Sequence, residues 1–150
     1  MTIRTTLATV FFAAAVSSVS ATELTIAKPA TEQSALTTYT APLEAMFGVI
    51  EQINGHLKSA QDEETAEAAG EAIQELLPSL DAAAVAFSNL PAPSPEVQAQ
   101  LDTWFAEREH IMESMVKEVT RLQNEDPAFF GSQTLVVAIV YIGGILGGGQ

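Results

Sequence analysis

The sequence predicts an all-α protein: a long antiparallel helical hairpin, an additional N-terminal helix and a short apolar C-terminal element. Apolar residues recur at three- and four-residue steps in three long segments, which is the spacing of one helical face. Between the last two segments, the prolines of residues 90–96 forbid a continuous helix, because each lacks a donor N–H and pushes the preceding residue toward extended backbone. The helices on either side would each be about 40 Å long. Helices of matched length, joined by such a turn, favour a hairpin.

Residues 1–21 have the pattern of a secretory signal peptide. Arg4 supplies a short positive region, and the apolar run from Leu7 to Val16 is too short to span a bilayer. Small residues follow, and they predict cleavage between Ala21 and Thr22. An uncleaved anchor or a buried helix is the alternative. We therefore expect an exported protein, periplasmic or fully secreted.

Composition excludes several classes of function. The chain has no cysteine, so disulfides, thiol chemistry and lipid attachment at a cysteine are excluded. Its net charge is −13, and loss of Arg4 with the signal peptide would make it −14, since −13 − 1 = −14. Nucleic-acid phosphates and anionic lipids repel such a body. We expect no nucleic-acid partner.

The first helix is predicted after a flexible lead-in over residues 22–40, which contains Thr, Ser, Pro and Ala without a sustained period. Pro42 fits the first turn of this helix, which starts a bundle domain over residues 41–126. Asn54 and Gly55 weaken its end, and a turn is expected near residues 59–62. Its apolar face consists of Leu43, Met46, Phe47, Ile50, Ile53 and Leu57.

The second helix is predicted from Asp62 to Asn89, because Asp62 is a good N-cap and the glutamates after it favour the positive end of the helix dipole. Pro78 predicts a kink rather than a break, since the apolar stripe resumes in phase after it. The third helix is predicted from Pro95 to Gln123, with Ser94 as its cap. Its apolar stripe is the strongest in the chain: Val97, Leu101, Trp104, Phe105, Ile111, Met112, Met115, Val119 and Leu122.

Residues 127–150 form an apolar, glycine-rich tail, and its stretch from 127 to 146 carries no charge. That length permits membrane contact. However, residues 131–134 are polar and no Lys or Arg flanks the stretch, so burial against the hairpin or in a subunit interface is favoured.

Glu107 and His110 are the best candidates for a metal site, with Glu113 and Glu109 nearby. Glu and His three residues apart project from one helix face, as in ferritin-like di-iron proteins. Those proteins need a second such pair, and the only other histidine, His56, follows Ile53 at that spacing. Surface exposure is therefore the favoured interpretation. Methionines at helical spacing fill core gaps more often than they bind haem, and no cofactor is predicted.

No catalytic residue is predicted. The serines occur in caps and linkers without a nucleophile turn or a base-orienting partner, and the terminal glycines lack the lysine of a phosphate loop. Exposed helical glutamates are usually a solvated face rather than an acid–base pair.

The order of segments resembles a loose group of small exported bacterial helical-hairpin proteins with no assigned activity. The resemblance depends on the signal peptide, the helix that opens at 62–66, the proline turn of 90–95, the charged amphipathic helix and Asp126-Pro127. It implies a helical-hairpin fold and no particular function. The apolar tail departs from the acidic or mixed ends of that group.

The leading hypothesis is a non-enzymatic envelope protein that acts through helix-face contacts, either in self-association or with a protein partner. Narrow apolar stripes on long helices and the uncharged tail motivate it. The alternative is a small-ligand or metal-binding bundle that uses Glu107, His110 and Glu113.

Overall fold

A computed structural model of the chain describes residues 30–147, with side chains from residue 34 onward. The signal peptide and the Ala21–Thr22 cleavage site lie outside this range. Four α-helices follow one another: α1 (Ala30–Ser59), α2 (Glu63–Ser88), α3 (Pro95–Glu125) and α4 (Gln133–Leu146). A single 3-10 turn, Phe129–Gly131, precedes α4. The described residues contain no strand, and the all-α class with a helical hairpin is confirmed.

Helix α1 packs against both α2 and α3. It is antiparallel to α2, because the hydroxyl of Tyr39, near its start, donates to the carbonyl of Pro91, just past the end of α2 (3.1 Å). Helices α1 and α2 therefore form a hairpin in which the two helices pack on each other. The expectation that α2 and α3 pack chiefly on each other is corrected, since α3 packs chiefly on α1, whereas α2 packs on α1 and α4.

Helices α1 and α3 run parallel. The rings of Phe47 and Trp104 meet edge to face at 5.4 Å between centroids. Two turns further along both helices, the side-chain amide of Asn54 donates to the carbonyl of Ile111 (3.3 Å). At the end of α1, the guanidinium of Arg121 donates to the carbonyl of Leu57 (3.0 Å). Because this carbonyl belongs to the last turn of α1, Arg121 caps the negative end of that helix from α3.

The predicted start of the first helix is wrong. Helix α1 begins at Ala30, so part of the supposed lead-in over residues 22–40 is helical. Pro42 lies inside the helix, where its ring removes the backbone bond that would reach the carbonyl of Thr38. Tyr39 and Thr40 are buried, and tertiary packing of these residues offsets the cost of an interior proline.

The start of α2 follows the prediction and adds a reciprocal cap. Asp62 accepts from the backbone N–H of Thr65 (2.9 Å), and Thr65 Oγ1 accepts from the backbone N–H of Asp62 (3.1 Å). The hydrogen bonds from Thr65 hold the pKa of Asp62 below its ordinary value. The helix then continues through Pro78 to Ser88 without a break.

The start of α3 is also as predicted. Ser94 Oγ accepts from the backbone N–H of Val97 (3.3 Å), and Pro95 occupies the first helical position. The helix ends at Glu125, two residues beyond the predicted end.

A left-handed turn connects α3 to α4. Phe129, Phe130 and Gly131 all have positive φ, at 51°, 56° and 79°. This conformation is strained for a phenylalanine, and burial of the Phe129 side chain in the core offsets the strain. The predicted short fourth element is confirmed as α4, which packs on α2. Residues 127–146 are thus an integral part of the bundle rather than a separate tail.

The core confirms the sequence stripes. The largest fully buried side chains come from all four helices: Leu43, Ile50, Ile53, Leu57, Ile73, Leu80, Leu101, Leu122 and Leu135. Burial of a leucine or isoleucine side chain contributes about 1.5–3 kcal/mol. The described chain therefore depends on apolar packing, as a protein without disulfides must.

Candidate interaction surface on the C-terminal helix

Helix α4 is apolar around its whole circumference but buried on one side only. It contains no charged residue in 14 positions. Leu135, Ala138 and Ile142 are buried in the shared core. Such a helix is usually covered on all sides, by protein or by lipid.

The opposite side of α4 consists of Val137, Val140, Tyr141 and Gly144, and we call it the α4 outer face. Val137 is 57% exposed, Val140 69% and Tyr141 47%. These residues recur at three- and four-residue steps, so they form one continuous strip. The described chain has two other exposed large apolar side chains, Val85 and Val116, on α2 and α3. Single exposed apolar residues are normal on a protein surface, whereas a strip indicates an interaction site.

The backbone of α4 lies against α2 at Gly70. A Cβ atom built at Gly70 would lie 2.5 Å from the backbone nitrogen of Leu135 and 2.8 Å from the carbonyl carbon of Thr134. Only glycine permits this approach. The side-chain amide of Gln74 reaches the carbonyl of Thr134 one turn further along α2 (3.5 Å). Helix α4 is therefore held with its first turn against the N-terminal half of α2.

Glu67 fixes this contact through hydrogen bonds. Its carboxylate accepts from Ser132 Oγ (2.6 Å) and from Thr134 Oγ1. Ser132, which is 3% exposed, also caps α4 by accepting from the backbone N–H of Leu135 (3.0 Å). The carboxylate thus lies at the positive end of the α4 dipole. The hydrogen bonds from Ser132 and Thr134 hold the pKa of Glu67 below its ordinary value.

An acidic ridge of α2 borders this junction. Glu63, Glu67 and Glu71 are spaced four residues apart and therefore lie along one side of the helix. Together with Glu64 and Ala68 they line a shallow, open depression. We define the acidic ridge as Glu63, Glu67 and Glu71.

The residues proposed as metal ligands lie on the exposed side of α3. Glu107, His110 and Glu113 are all exposed. The Nδ1 atom of His110 is 3.1 Å from the carbonyl oxygen of Glu107, and the Glu107 carboxylate lies 3.4 Å from the guanidinium of Arg108. In the described part of the chain, no three His, Asp or Glu residues come together as a metal would require.

The other residues singled out from the sequence have structural surroundings. His56 lies in the last turn of α1 and is partly exposed. Met46 and Met115 are buried in the core, and Met112 packs against it. Trp104 makes edge-to-face contacts with Phe47 and Phe105, and Arg108 lies over its ring at 4.0 Å. These methionines and aromatic rings pack among other apolar side chains of the core.

None of the helices between residues 30 and 147 combines the length and apolarity needed to cross a membrane. Comparison with protein-family models, with curated proteins and with solved structures found no match. Function must therefore be inferred from the chain's own residues.

Sequence reasoning identified the uncharged tail but missed what holds it in place. The contact between Glu67, Ser132 and Thr134 joins residues about 65 positions apart, and periodicity within one helix does not reveal such pairs. One local signal was available. Gly70 lies inside an alanine-rich helix, where glycine costs about 1 kcal/mol relative to alanine, and such a glycine indicates a close backbone approach.

Proposed function

We propose that this protein is a non-enzymatic component of the cell envelope that acts by helix-face contact, and that the α4 outer face is its binding surface. The observation that carries the proposal is the one-sided burial of α4. Three of its side chains are buried in the core, while Val137, Val140 and Tyr141 are exposed on an uncharged helix. An exposed apolar strip of this kind favours association with another surface.

The proposed location follows from the amino-terminal sequence. Arg4 and the apolar run from Leu7 to Val16 precede small residues at Val19 and Ala21, as in an export signal. The absence of cysteine from the sequence leaves apolar packing to stabilise the protein after export.

The binding role is supported by the kind of residues on the outer face. Valine and tyrosine lose little side-chain entropy when they become buried, and tyrosine is enriched at protein interfaces. The underlying scaffold is also rigid at this point, since Glu67 and Gly70 hold the first turn of α4. A preorganised face binds with a smaller entropic cost than a loose tail.

Site-specific photo-crosslinking in cells that produce the protein tests this proposal. A photoreactive residue replaces Val140 in one variant and Val116, the exposed valine of α3, in the control. We expect a discrete crosslinked species with the residue at position 140 and none at position 116. The absence of a crosslink at 140, or equal and diffuse crosslinks at both positions, would contradict a binding role for the α4 outer face.

A further inference from the structure

We propose that the partner of the α4 outer face is a cationic amphipathic helix of another protein, with its apolar side on α4 and its Lys and Arg residues against the acidic ridge of α2. This inference rests on the proposed function and specifies the chemistry of the partner. Two features of the surface carry it: the spacing of the apolar residues and the sign of the charge beside them.

The charges of the chain are distributed unevenly. Helix α2 contains six carboxylates and no basic residue: Glu63, Glu64, Glu67, Glu71, Glu75 and Asp81. No Lys, Arg or His occurs between residues 59 and 107, or after Arg121. The basic residues of the described helices, Lys58, Arg108, Lys117 and Arg121, belong to α1 and α3. Among the described residues, the side formed by α2 and α4 therefore presents negative charge alone.

These carboxylates are not neutralised by the rest of the described chain. The ion pairs between residues 34 and 147 join Arg108 to Glu107, and Arg121 to Glu118 and Glu125, all within α3. Glu63, Glu71 and Asp81 are exposed. A cluster of like charges beside a low-dielectric apolar strip attracts a partner of opposite charge and raises its association rate.

The ridge runs close enough to α4 for one partner helix to contact both. Glu67 is hydrogen-bonded to the first turn of α4, and Glu63 and Glu71 lie one helical turn to either side of it. Tyr141 follows Thr134, whose hydroxyl is hydrogen-bonded to Glu67, by seven residues, so it lies on the side of α4 that borders the acidic ridge. A partner helix that packs on the Tyr141 side of the outer face, about 8–10 Å from α4, therefore has its long basic side chains beside α2. Helix-in-groove recognition uses apolar anchors at three-, four- and seven-residue steps, which is the spacing of Val137, Val140, Tyr141 and Gly144.

Gly144 adds room for a close approach. A Cβ atom built at Gly144 or at Gly143 would meet no heavy atom within 4 Å. The backbone is therefore open on this side of α4, and a partner helix can come near it beyond Tyr141.

Two other occupants are disfavoured by the same charges. A second copy of this chain would bring a second acidic ridge toward the first, and like charges across an interface oppose association. Anionic lipid is also repelled, and α4 lacks the Lys and Arg residues that a helix uses to lie on such a membrane.

Peptide titration tests the proposal. Two fluorescent helical peptides, matched in length to α4, carry the same leucine face; one has lysine and the other glutamate at its polar positions. We expect the purified protein to bind the lysine peptide at least about tenfold more tightly than the glutamate peptide. Raising the salt concentration should weaken the lysine complex.

Variants locate the binding site. The double variant V137S/V140S should weaken the lysine peptide about tenfold, because it removes apolar contact area. The double variant E63Q/E71Q should weaken it several-fold and reduce its salt dependence. The matched controls lie on α3: V116S for the apolar change, and E109Q/E113Q for the charge change. Both controls should bind the lysine peptide as the unmodified protein does.

The outcomes separate this inference from the proposed function. If both peptides bind equally and V137S/V140S weakens the binding of both, the α4 outer face is a binding surface whose partner is not selected by charge. The inference of a cationic partner would then be wrong, whereas the proposed function would stand. The second outcome is that V137S/V140S leaves the affinity for both peptides unchanged, while E109Q/E113Q weakens binding of the lysine peptide as much as E63Q/E71Q does. The lysine peptide would then bind by attraction to the negative charge of the whole protein, and the proposal that the α4 outer face is a binding surface would be wrong as well. Sedimentation as a dimer that V140E dissociates, or binding to vesicles of anionic lipid, would identify a different occupant and overturn the inference.

Discussion

Gly70 of α2 lies in backbone contact with Leu135 of α4, so closely that a Cβ atom on Gly70 would be 2.5 Å from the Leu135 nitrogen. The contact joins the N-terminal half of α2 to the first turn of α4. It places the buried side of α4, with Leu135 itself fully buried, against the core. As a consequence the Val140 side of the helix faces solvent.

Gly70→Ala is expected to lower the free energy of unfolding by about 1–3 kcal/mol, because the added methyl group forces α4 away from α2. Helix propensity alone would raise it by about 1 kcal/mol, so a decrease identifies the close contact. Urea denaturation measures the effect. Gly55→Ala is the control, since a Cβ atom there meets nothing within 4 Å, and we expect that variant to gain about 0.5–1 kcal/mol. Equal stabilisation by both changes would show that α4 does not lie against Gly70.

Glu67→Gln is expected to make thermal stability less dependent on pH. The folded state lowers the pKa of Glu67 through hydrogen bonds from Ser132 and Thr134. The ionised carboxylate therefore stabilises the fold above its ordinary pKa of 4.5, and this contribution is lost as the pH falls through the lowered value. Melting temperatures measured between about pH 6 and about pH 3 should fall less steeply for the variant.

Glu75→Gln is the control for that measurement, because Glu75 is an exposed carboxylate on the same helix. It should leave the pH profile of the melting temperature close to that of the unmodified protein. Superimposable profiles for all three proteins would mean that Glu67 does not hold α4 in place.

Arg121→Met is expected to lower the free energy of unfolding by about 2 kcal/mol, because a charged donor to two helix-end carbonyls is lost. The guanidinium donates to Leu57 O at 3.0 Å and to Ala60 O at 3.3 Å. The hydrogen bond to Glu118 also raises the pKa of Arg121, so the side chain stays charged throughout the measurable range. Lys117→Met, on the exposed side of α3, should change stability little. If the two variants lose the same stability, Arg121 does not cap α1.

Divalent cations are expected to leave the melting temperature unchanged. A bound ion would raise it by mass action, but Glu107, His110 and Glu113 are exposed, and the Glu107 carboxylate is beside Arg108. Calorimetry with and without zinc or nickel ions checks this. A rise in melting temperature that His110→Ala abolishes would instead establish the metal-binding alternative.

Local signals in the sequence predicted the ends of helices well. Asp62, Ser94 and Pro95 begin their helices as expected, because capping depends on residues within one turn. The start of α1 was not predicted, because the contact that stabilises it is with residues distant in the sequence. Its first ten residues have no sustained apolar period, and at their end the Tyr39 hydroxyl donates to Pro91 in the turn between α2 and α3.

The position of α1 between α2 and α3 was also missed, although its residues carry a signal. Met46, Phe47, Val49 and Ile50 are all buried, and together they cover a broader arc of the helix than one stripe. A helix that contacts two neighbours must be apolar over such an arc. The junction at Glu67 could not be predicted in this way, because its hydrogen bonds join separate helices.

Cysteine labelling at position 140 tests the central claim most directly, since the chain has no cysteine of its own. Val140→Cys and the control Val116→Cys are labelled with a maleimide, in the purified protein and in intact cells that produce it. We expect both thiols to react rapidly in the purified protein, and only the thiol at 140 to become protected in cells, because a partner covers the α4 outer face. Equal labelling rates at 140 and 116 in cells would contradict the account.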